Sequence, residues 1–122
     1  MIVNSSLTAY HMIGLDPATH TETWVKHNYG TPDNPTVWWF GGKGAGINKG
    51  YQDANDVQVR IPYELNNNLN KNDFAIGDIL VQGTLNFDIT TQKDLKNYEI
   101  YNITSINDNN FGDSQHIHLG GK

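Results

Sequence analysis

The chain has 122 residues, no cysteine and a formal net charge of −5, and this length suits a single domain. The lack of cysteine excludes disulfides, thiolate nucleophiles and zinc sites built on cysteine, and the eight scattered lysines and arginines do not form the basic cluster that a nucleic-acid groove requires. Hydrophobic (37%) and charged (17%) contents are low, and the abundant Asn, Gly and Thr favour turns and strands over helices.

Residues 1–40 predict three short secondary-structure elements and no targeting segment. The N-terminus lacks the basic start and apolar core of a signal peptide, and no apolar run approaches a membrane span, so we expect a protein made in a cytoplasm without membrane contact. Leu7–Ile13 fits a strand or a short helix equally well. Thr21–His27 predicts a strand, and the prolines and glycine of residues 28–35 predict a loop. Thr36–Phe40 is β-branched and aromatic, which predicts a buried strand.

A long glycine-rich segment, residues 41–54, follows that strand. Five glycines lie between positions 41 and 50, but their spacing matches neither the phosphate-binding loop nor the dinucleotide fingerprint. Two strands can be joined by two to five residues, so the extra length suggests a loop that reaches a partner; the alternative is a disordered surface excursion. The candidate contact residues are Gly42, Lys43, Gly44, Gly46, Asn48 and Lys49.

Alternation with a period of two recurs in the second half of the chain. It predicts strands at Asp56–Tyr63, Ile79–Val81, Leu85–Ile89, Tyr98–Ile106 and Phe111–Leu119, with a turn at Asn107–Asn110. Pro62 marks an edge or a strand end, and the polar tract Asn66–Asp73 is expected on the surface. Thr91–Lys96 is the one helix candidate, with Thr91 as N-cap. The pattern is typical of an all-β or β-rich α+β domain, a barrel or a sandwich, over residues 1–122.

The chemistry of the side chains gives little reason to expect catalysis. His116 and His118 share one face of the last strand, but two ligands are at most half of a metal site, and Ile117 and Leu119 alternate with them. We therefore predict that they bind no metal. Residues 112–114 do not match a nucleophile elbow, and the acidic residues lie mostly in turns. We predict no catalytic residues and no cofactor.

A set of short motifs occurs in the order and spacing of a known family. The motifs are Ile61-Pro62-Tyr63, Ile76–Gly83, Asp94-Leu95, Ile103–Ile106, Phe111-Gly112, Ser114, His116-Ile117 and Gly120–Lys122. Through them about the last two-thirds of the chain resembles small proteins from the structural gene cluster of tailed phages of Gram-positive bacteria. These are often described as minor capsid or head–tail joining proteins, and they are similar to head-completion, or stopper, proteins.

The resemblance implies a structural virion protein. The implied fold is a small β-barrel of about six to seven short strands with one short helix and a long glycine-rich inserted loop. A homo-oligomeric ring would dock to the portal or adaptor protein at the head–tail interface, meet a tail-side joining protein and help to retain packaged DNA. DNA would pass through the channel without sequence-specific binding, which suits a negative net charge because attraction to phosphates would retard ejection. Assembly would take place in the host cytoplasm.

Two other classes of function stay open. Trp24, Trp38 and Trp39, with six tyrosines, could form a sugar-stacking platform, which would make the chain a carbohydrate-binding β-module of a phage tail or cell-surface protein. Aromatic residues in short strands are more often core. A small metal-dependent enzyme built around His116 and His118 is the third interpretation.

Overall fold

The computed structural model describes residues 3–41, 57–109, 112 and 115–122, which form a seven-stranded antiparallel sheet. The strands are β1 Leu7–Asp16, β2 Thr21–Tyr29, β3 Trp38–Gly41, β4 Val57–Pro62, β5 Ile79–Gln82, β6 Tyr101–Asn109 and β7 His116–Gly121. Their order in the sheet is β2-β1-β5-β6-β7-β4-β3. Three 3-10 helices lie at Tyr63–Leu65, Lys71–Asp73 and Gln92–Leu95. The predicted all-β class is therefore confirmed.

Buried apolar side chains pack on both faces of the sheet and form two clusters. The larger cluster comprises Leu7, Ala9, Tyr29, Val37, Trp39, Val57, Val59, Ile61, Leu69, Phe74, Leu80, Tyr101, Ile103, Ile117 and Leu119. The smaller cluster comprises Tyr10, Ile79, Val81, Ile89 and Leu95. Successive residues of a strand point to opposite faces, and both Leu7–Tyr10 and Ile79–Val81 are buried throughout. This part of β1 and β5 is therefore covered on both sides.

The start of the chain brings the two ends of the sheet together. Ser5 and Val37 exchange backbone hydrogen bonds of 3.1 and 3.0 Å. The Asn4 side chain then donates to the carbonyl of Trp39 (3.0 Å) and accepts from its N–H (2.8 Å), which occupies the outer edge of β3. Among the described residues no ladder pairs β2 with β3, so the sheet is curled but not closed by continuous strand pairing.

Most predicted strands are present, with shifted ends. Leu7–Ile13 belongs to a strand and not to a helix, the strand predicted at Thr21–His27 is β2, and β4 ends at Pro62 as expected. The turn predicted at Asn107–Asn110 is wrong for residues 107–109, because β6 continues to Asn109 and pairs there with β7. Residue 110 lies outside the described residues. The structure describes β7 from His116 onward.

The strand predicted at Leu85–Ile89 is absent. Side chains take the places of a neighbouring strand there: the N–H of Leu85 donates to Thr8 Oγ1 (2.9 Å), and its carbonyl accepts from Asn28 Nδ2 (3.2 Å). The carbonyl of Phe87 accepts from the Tyr10 hydroxyl (2.7 Å). Since β1 already pairs with β2 and β5, this segment covers the sheet instead of joining it.

The predicted helix at Thr91–Lys96 is a short 3-10 helix, Gln92–Leu95. Its first turn is held by the Asp94 carboxylate, which accepts from the N–H groups of Thr90 (2.8 Å) and Thr91 (3.3 Å). These hydrogen bonds lower the pKa of Asp94, with the Thr90 N–H as the largest cause. The acidic residue three positions after Thr91 therefore acts as the capping pattern predicts.

Two predictions of burial are wrong. Thr36–Phe40 was expected to be buried on both faces, but β3 is the last strand of the sheet and the Phe40 side chain is 63% exposed. The tract Asn66–Asp73 was expected to lie wholly on the surface, but Asn66 is 5% exposed. Its amide and Thr36 make two hydrogen bonds, and it also donates to the Pro62 carbonyl. A buried amide is tolerated there because its polar atoms have partners.

Candidate functional site

The outer face of β3, β4 and β7 carries a mixed aromatic and polar surface. We call it the aromatic face and define it by Trp38, Phe40, Gln58, Arg60 and His118. The ladders place Trp38 opposite Arg60, and Arg60 opposite His118, so these three form one row across the strands. Phe40 lies opposite Gln58 in the next row. The alternate residues of the same strands point into the larger core, which fixes the direction of this face.

Aromatic stacking organises one side of the aromatic face. The Trp38 and Phe40 rings are parallel within 3°, and their centroids are 5.7 Å apart. The Arg60 guanidinium carbon lies 4.8 Å from the Trp38 ring centroid, a geometry in which cation and ring attract each other. Arg60 Nε is buried and has no hydrogen-bond partner, and no ion pair joins Arg60 to a described carboxylate. The face therefore carries a positive charge that the described residues do not neutralise.

Histidine completes the row. His118 Nε2 lies 3.2 Å from Gln58 Oε1. Burial is the largest cause that lowers the pKa of His118 below its usual 6.5, followed by the positive charge of Arg60 and the neighbouring His116. The folded protein thus favours the neutral imidazole. Below the pKa of the unfolded chain, the unfolded chain binds a proton at this histidine more readily than the folded protein does. The free energy of unfolding therefore decreases as pH falls from the unfolded pKa through the lower folded pKa, and it is highest above the unfolded pKa.

Removing the charge of Arg60 is expected to raise the pKa of His118. In Arg60→Gln the burial remains but the adjacent cation is gone, so the pKa should move upward toward the ordinary value without reaching it. The imidazole resonances of His118, followed by NMR against pH, would measure the change. Arg60→Lys keeps the charge and should leave the pKa lowered, and Lys93→Gln, on the 3-10 helix at Gln92–Leu95, should have no effect. An unchanged pKa in Arg60→Gln would contradict this electrostatic account.

The histidine pair predicted on the last strand has the expected orientation. His116 and His118 are partly exposed, and Ile117 and Leu119 between and after them are buried. Each histidine contacts an amide side chain, since His116 Nε2 lies 3.3 Å from Asn109 Nδ2. In the part of the chain that the structure describes, no group of three or more His, Asp or Glu residues is arranged to hold a metal ion.

The glycine-rich segment begins and ends beside the aromatic face. Gly41 and Val57 pair in the β3–β4 ladder, and the segment between them, residues 42–56, lies outside the described residues. All six candidate contact residues predicted from the sequence fall in it: Gly42, Lys43, Gly44, Gly46, Asn48 and Lys49. Their role stays a prediction.

A second surface with unusual exposure lies at the far end of β1. We call it the ribbon tip and define it by Met12, Ile13 and Leu15. β1 pairs with β5 only through Leu7–Tyr10, and beyond that it pairs with β2 alone. Ile13 and Leu15 are 59% and 56% exposed. Exposed apolar side chains mark contact surfaces when they form a contiguous patch, which makes the ribbon tip a candidate contact surface.

Sequence reasoning missed the aromatic face because it assigned Trp38 and Phe40 to the core. The available signal was that two predicted strands flank the glycine-rich segment, since strands joined by one connection usually lie side by side. The register that places Trp38 opposite Arg60 comes from the structure.

Among the described residues, no helix has the length and apolar character that crossing a membrane requires.

Comparisons with known proteins place the chain in a family without assigning it a role. No curated protein and no solved structure matches the chain significantly. A family model matches residues 2–122, nearly the whole sequence, and the chain therefore belongs to the family of unknown function DUF6751.

Proposed function

We propose that this protein is a structural virion protein of a tailed phage, a head–tail connector of the head-completion or stopper type. The observation that carries the proposal is the position of the motifs behind the resemblance. Of the motifs that the structure describes, Asp94-Leu95 lies in the 3-10 helix at Gln92–Leu95, and those at residues 61–63, 76–83, 103–106, 116–117 and 120–122 lie in or at the ends of β4, β5, β6 and β7. These four strands are consecutive in the sheet, as β5-β6-β7-β4. Most of the described motifs, which are scattered in the sequence, thus lie in one run of adjacent strands.

Two unlike surfaces support assembly into a ring. A head-to-tail ring needs two different patches that complement each other. The ribbon tip extends from β1, near one end of the strand order, and the aromatic face includes β3 at the other end. Residues 13–23, the outer part of the ribbon formed by β1 and β2, include Asp16 and Glu22 but no lysine or arginine. The aromatic face carries Arg60. Their charges are therefore complementary.

The curled sheet supports a small barrel as the finer description of the fold. The Ser5–Val37 bridge joins the segment before β1 to the segment before β3, and one cluster of buried residues includes side chains from all seven strands. The glycine-rich segment would project from the β3–β4 side of this barrel toward the channel. In the proposed role the ring docks to the portal or adaptor protein, meets the tail-side joining protein and lets DNA pass without reading its sequence.

Cryo-EM of the phage particle tests the role directly. We expect copies of the chain in a closed ring between the portal and the tail. Shortening Gly42–Lys49 to a two-residue turn should leave the domain folded but give particles that lose DNA or fail to join tails. The matched control is a Gly/Ser segment of unchanged length. Copies scattered over the capsid surface would overturn the proposal, and full complementation by the shortened variant would remove the loop from the mechanism.

A carbohydrate-binding module is the second candidate, favoured by the exposed aromatic stack. Phe40 presents a flat apolar ring beside Gln58 and Arg60, and such a combination suits stacking on a sugar with hydrogen bonds at its rim. Titration with cell-wall oligosaccharides, monitored by the NMR signals of Trp38 and Phe40, distinguishes the two functions. Saturable shifts confined to the aromatic face would favour the module.

A further inference from the structure

The two outermost strands of the sheet, β3 and β2, differ in whether the backbone groups on their outer edges have hydrogen-bond partners. An outer strand has N–H and C=O groups that face away from the sheet and can pair with another chain. On β3 the Asn4 side chain occupies both groups of Trp39. On β2, which is nine residues long, no described strand or backbone group pairs with the outer edge. Among the described residues, the β3 edge thus has a partner and the β2 edge has none.

The sequence of β2 is complementary to itself when read in the opposite direction. Trp24 is its pivot: in an antiparallel copy centred there, Glu22 faces Lys26 and Thr23 faces Val25. Glu22 and Lys26 lie on the same face as Trp24 because they are two residues away from it. The register thus places an acidic residue opposite a basic one twice, once on each side of the pivot.

The charges that would meet have no ion-pair partner among the described residues of their own copy. Neither Glu22 nor Lys26 forms an ion pair with a described residue, and the Glu22 carboxylate only accepts a 3.2 Å hydrogen bond from Trp24 Nε1. Opposite charges directly across an antiparallel pair stabilise it, and like charges destabilise it. A lysine on an edge strand normally discourages pairing, but here the same strand supplies the acid that neutralises it.

We infer that β2 is an interaction surface for a second copy of this chain, joined edge to edge and antiparallel around a two-fold axis at Trp24. The interface is isologous, so it closes at two subunits. The two Trp24 side chains, each packed against the smaller core of its own subunit, meet at the axis. This pairing goes beyond the proposed ring and does not depend on it, because a ring uses unlike patches and this dimer uses one patch twice.

Single-cysteine variants test the register, since the natural chain contains no cysteine. Mixing Thr23→Cys with Val25→Cys under mild oxidation is expected to give a disulfide-linked heterodimer, because opposed residues lie within disulfide range. Each variant alone should cross-link far less, since its cysteines would be offset by two residues along the strands. A matched pair on the other outer strand, Trp38→Cys with Phe40→Cys, should not cross-link. Equal cross-linking in all samples would overturn the inference.

Charge exchange tests the same interface without covalent chemistry. A single strand edge is smaller than the ~1,200 Å² of common stable interfaces, so we expect a dissociation constant on the order of 0.1 mM, measured by sedimentation equilibrium. Glu22→Lys alone and Lys26→Glu alone should each weaken the dimer about tenfold. An equimolar mixture of the two should dimerise again, because each heterodimer pairs opposite charges. A parent protein that stays monomeric at about 1 mM, or a mixture that stays as weak as its components, would refute the pairing.

Discussion

Replacement of Asp78 with alanine is expected to lower the free energy of unfolding by about 3 kcal/mol, since three partly buried hydrogen bonds lose their acceptor. The carboxylate is 3% exposed. It accepts from the N–H groups of Ala75 (2.8 Å) and Met12 (3.3 Å), and its Oδ2 lies 2.5 Å from His11 Nδ1. The melting temperature should fall by roughly 10–20 °C.

The size of this effect follows from where the β1–β5 ladder ends. The last paired residues are Tyr10 and Ile79, and the chain turns away at Gly77, where φ is +95°. The Asp78 carboxylate then takes the N–H of Met12 in place of a further ladder bond. Without it, the N–H groups of Met12 and Ala75 lose their acceptor, and each lost hydrogen bond costs about 1 kcal/mol.

Two variants separate the acceptor role from a general effect of losing an acid. Asp78→Asn keeps one oxygen and should show an intermediate loss. Asp33→Ala removes an exposed carboxylate and should leave the melting temperature within experimental error. A loss in Asp78→Ala no greater than that in Asp33→Ala would contradict the account.

Replacement of Asn66 with alanine is expected to cost about 3 kcal/mol as well. Its amide accepts from the Thr36 hydroxyl (2.6 Å) and donates to the carbonyls of Thr36 (3.0 Å) and Pro62 (2.9 Å). These contacts hold the start of β3 against the end of β4. Gly30 packs closely on Thr36, since a Cβ added to Gly30 would lie 2.8 Å from both the Thr36 nitrogen and Oγ1. A side chain at position 30 would therefore disturb the hydrogen-bonded Thr36.

The neighbouring asparagines provide the matched control for this prediction. Asn67→Ala changes the same residue type in the same tract, but Asn67 is exposed, so its effect should stay within about 0.5 kcal/mol. Chemical denaturation of both variants and the parent gives the comparison. Similar losses at the two positions would show that the polar tract acts through its overall composition and not through one buried amide.

Alternation located the strands that have one buried face and one polar face. β4 is the clearest example: Val57, Val59 and Ile61 are buried and Gln58 is exposed, so its period of two was visible. β5 was also found, because a short apolar run between glycines is typical of a strand covered on both sides. The all-β class follows from these segments and from the scarcity of helix signals.

The failures came from contacts between distant residues. Leu85–Ile89 alternates as a strand should, but its backbone is bonded by Thr8 and Tyr10, each 77 residues away from its partner in the segment. Nothing local distinguishes Asn66 from Asn67; the difference is Thr36, 30 residues earlier. The aromatic face was missed for the same reason, because a local pattern does not reveal that β3 is the last strand of the sheet.

The Asn4 side chain has a consequence for crowded conditions. Sheets with two receptive ends can add neighbours without limit, which is how fibres grow. Here one of the two outermost strands is occupied by the amide of the same chain, so each molecule offers one receptive end of its sheet. Once two such ends have met, further elongation would have to begin at a strand that is already occupied. We therefore expect Asn4 to stop strand-by-strand association at two molecules, so that an exposed strand edge does not lead to fibres at high local concentration.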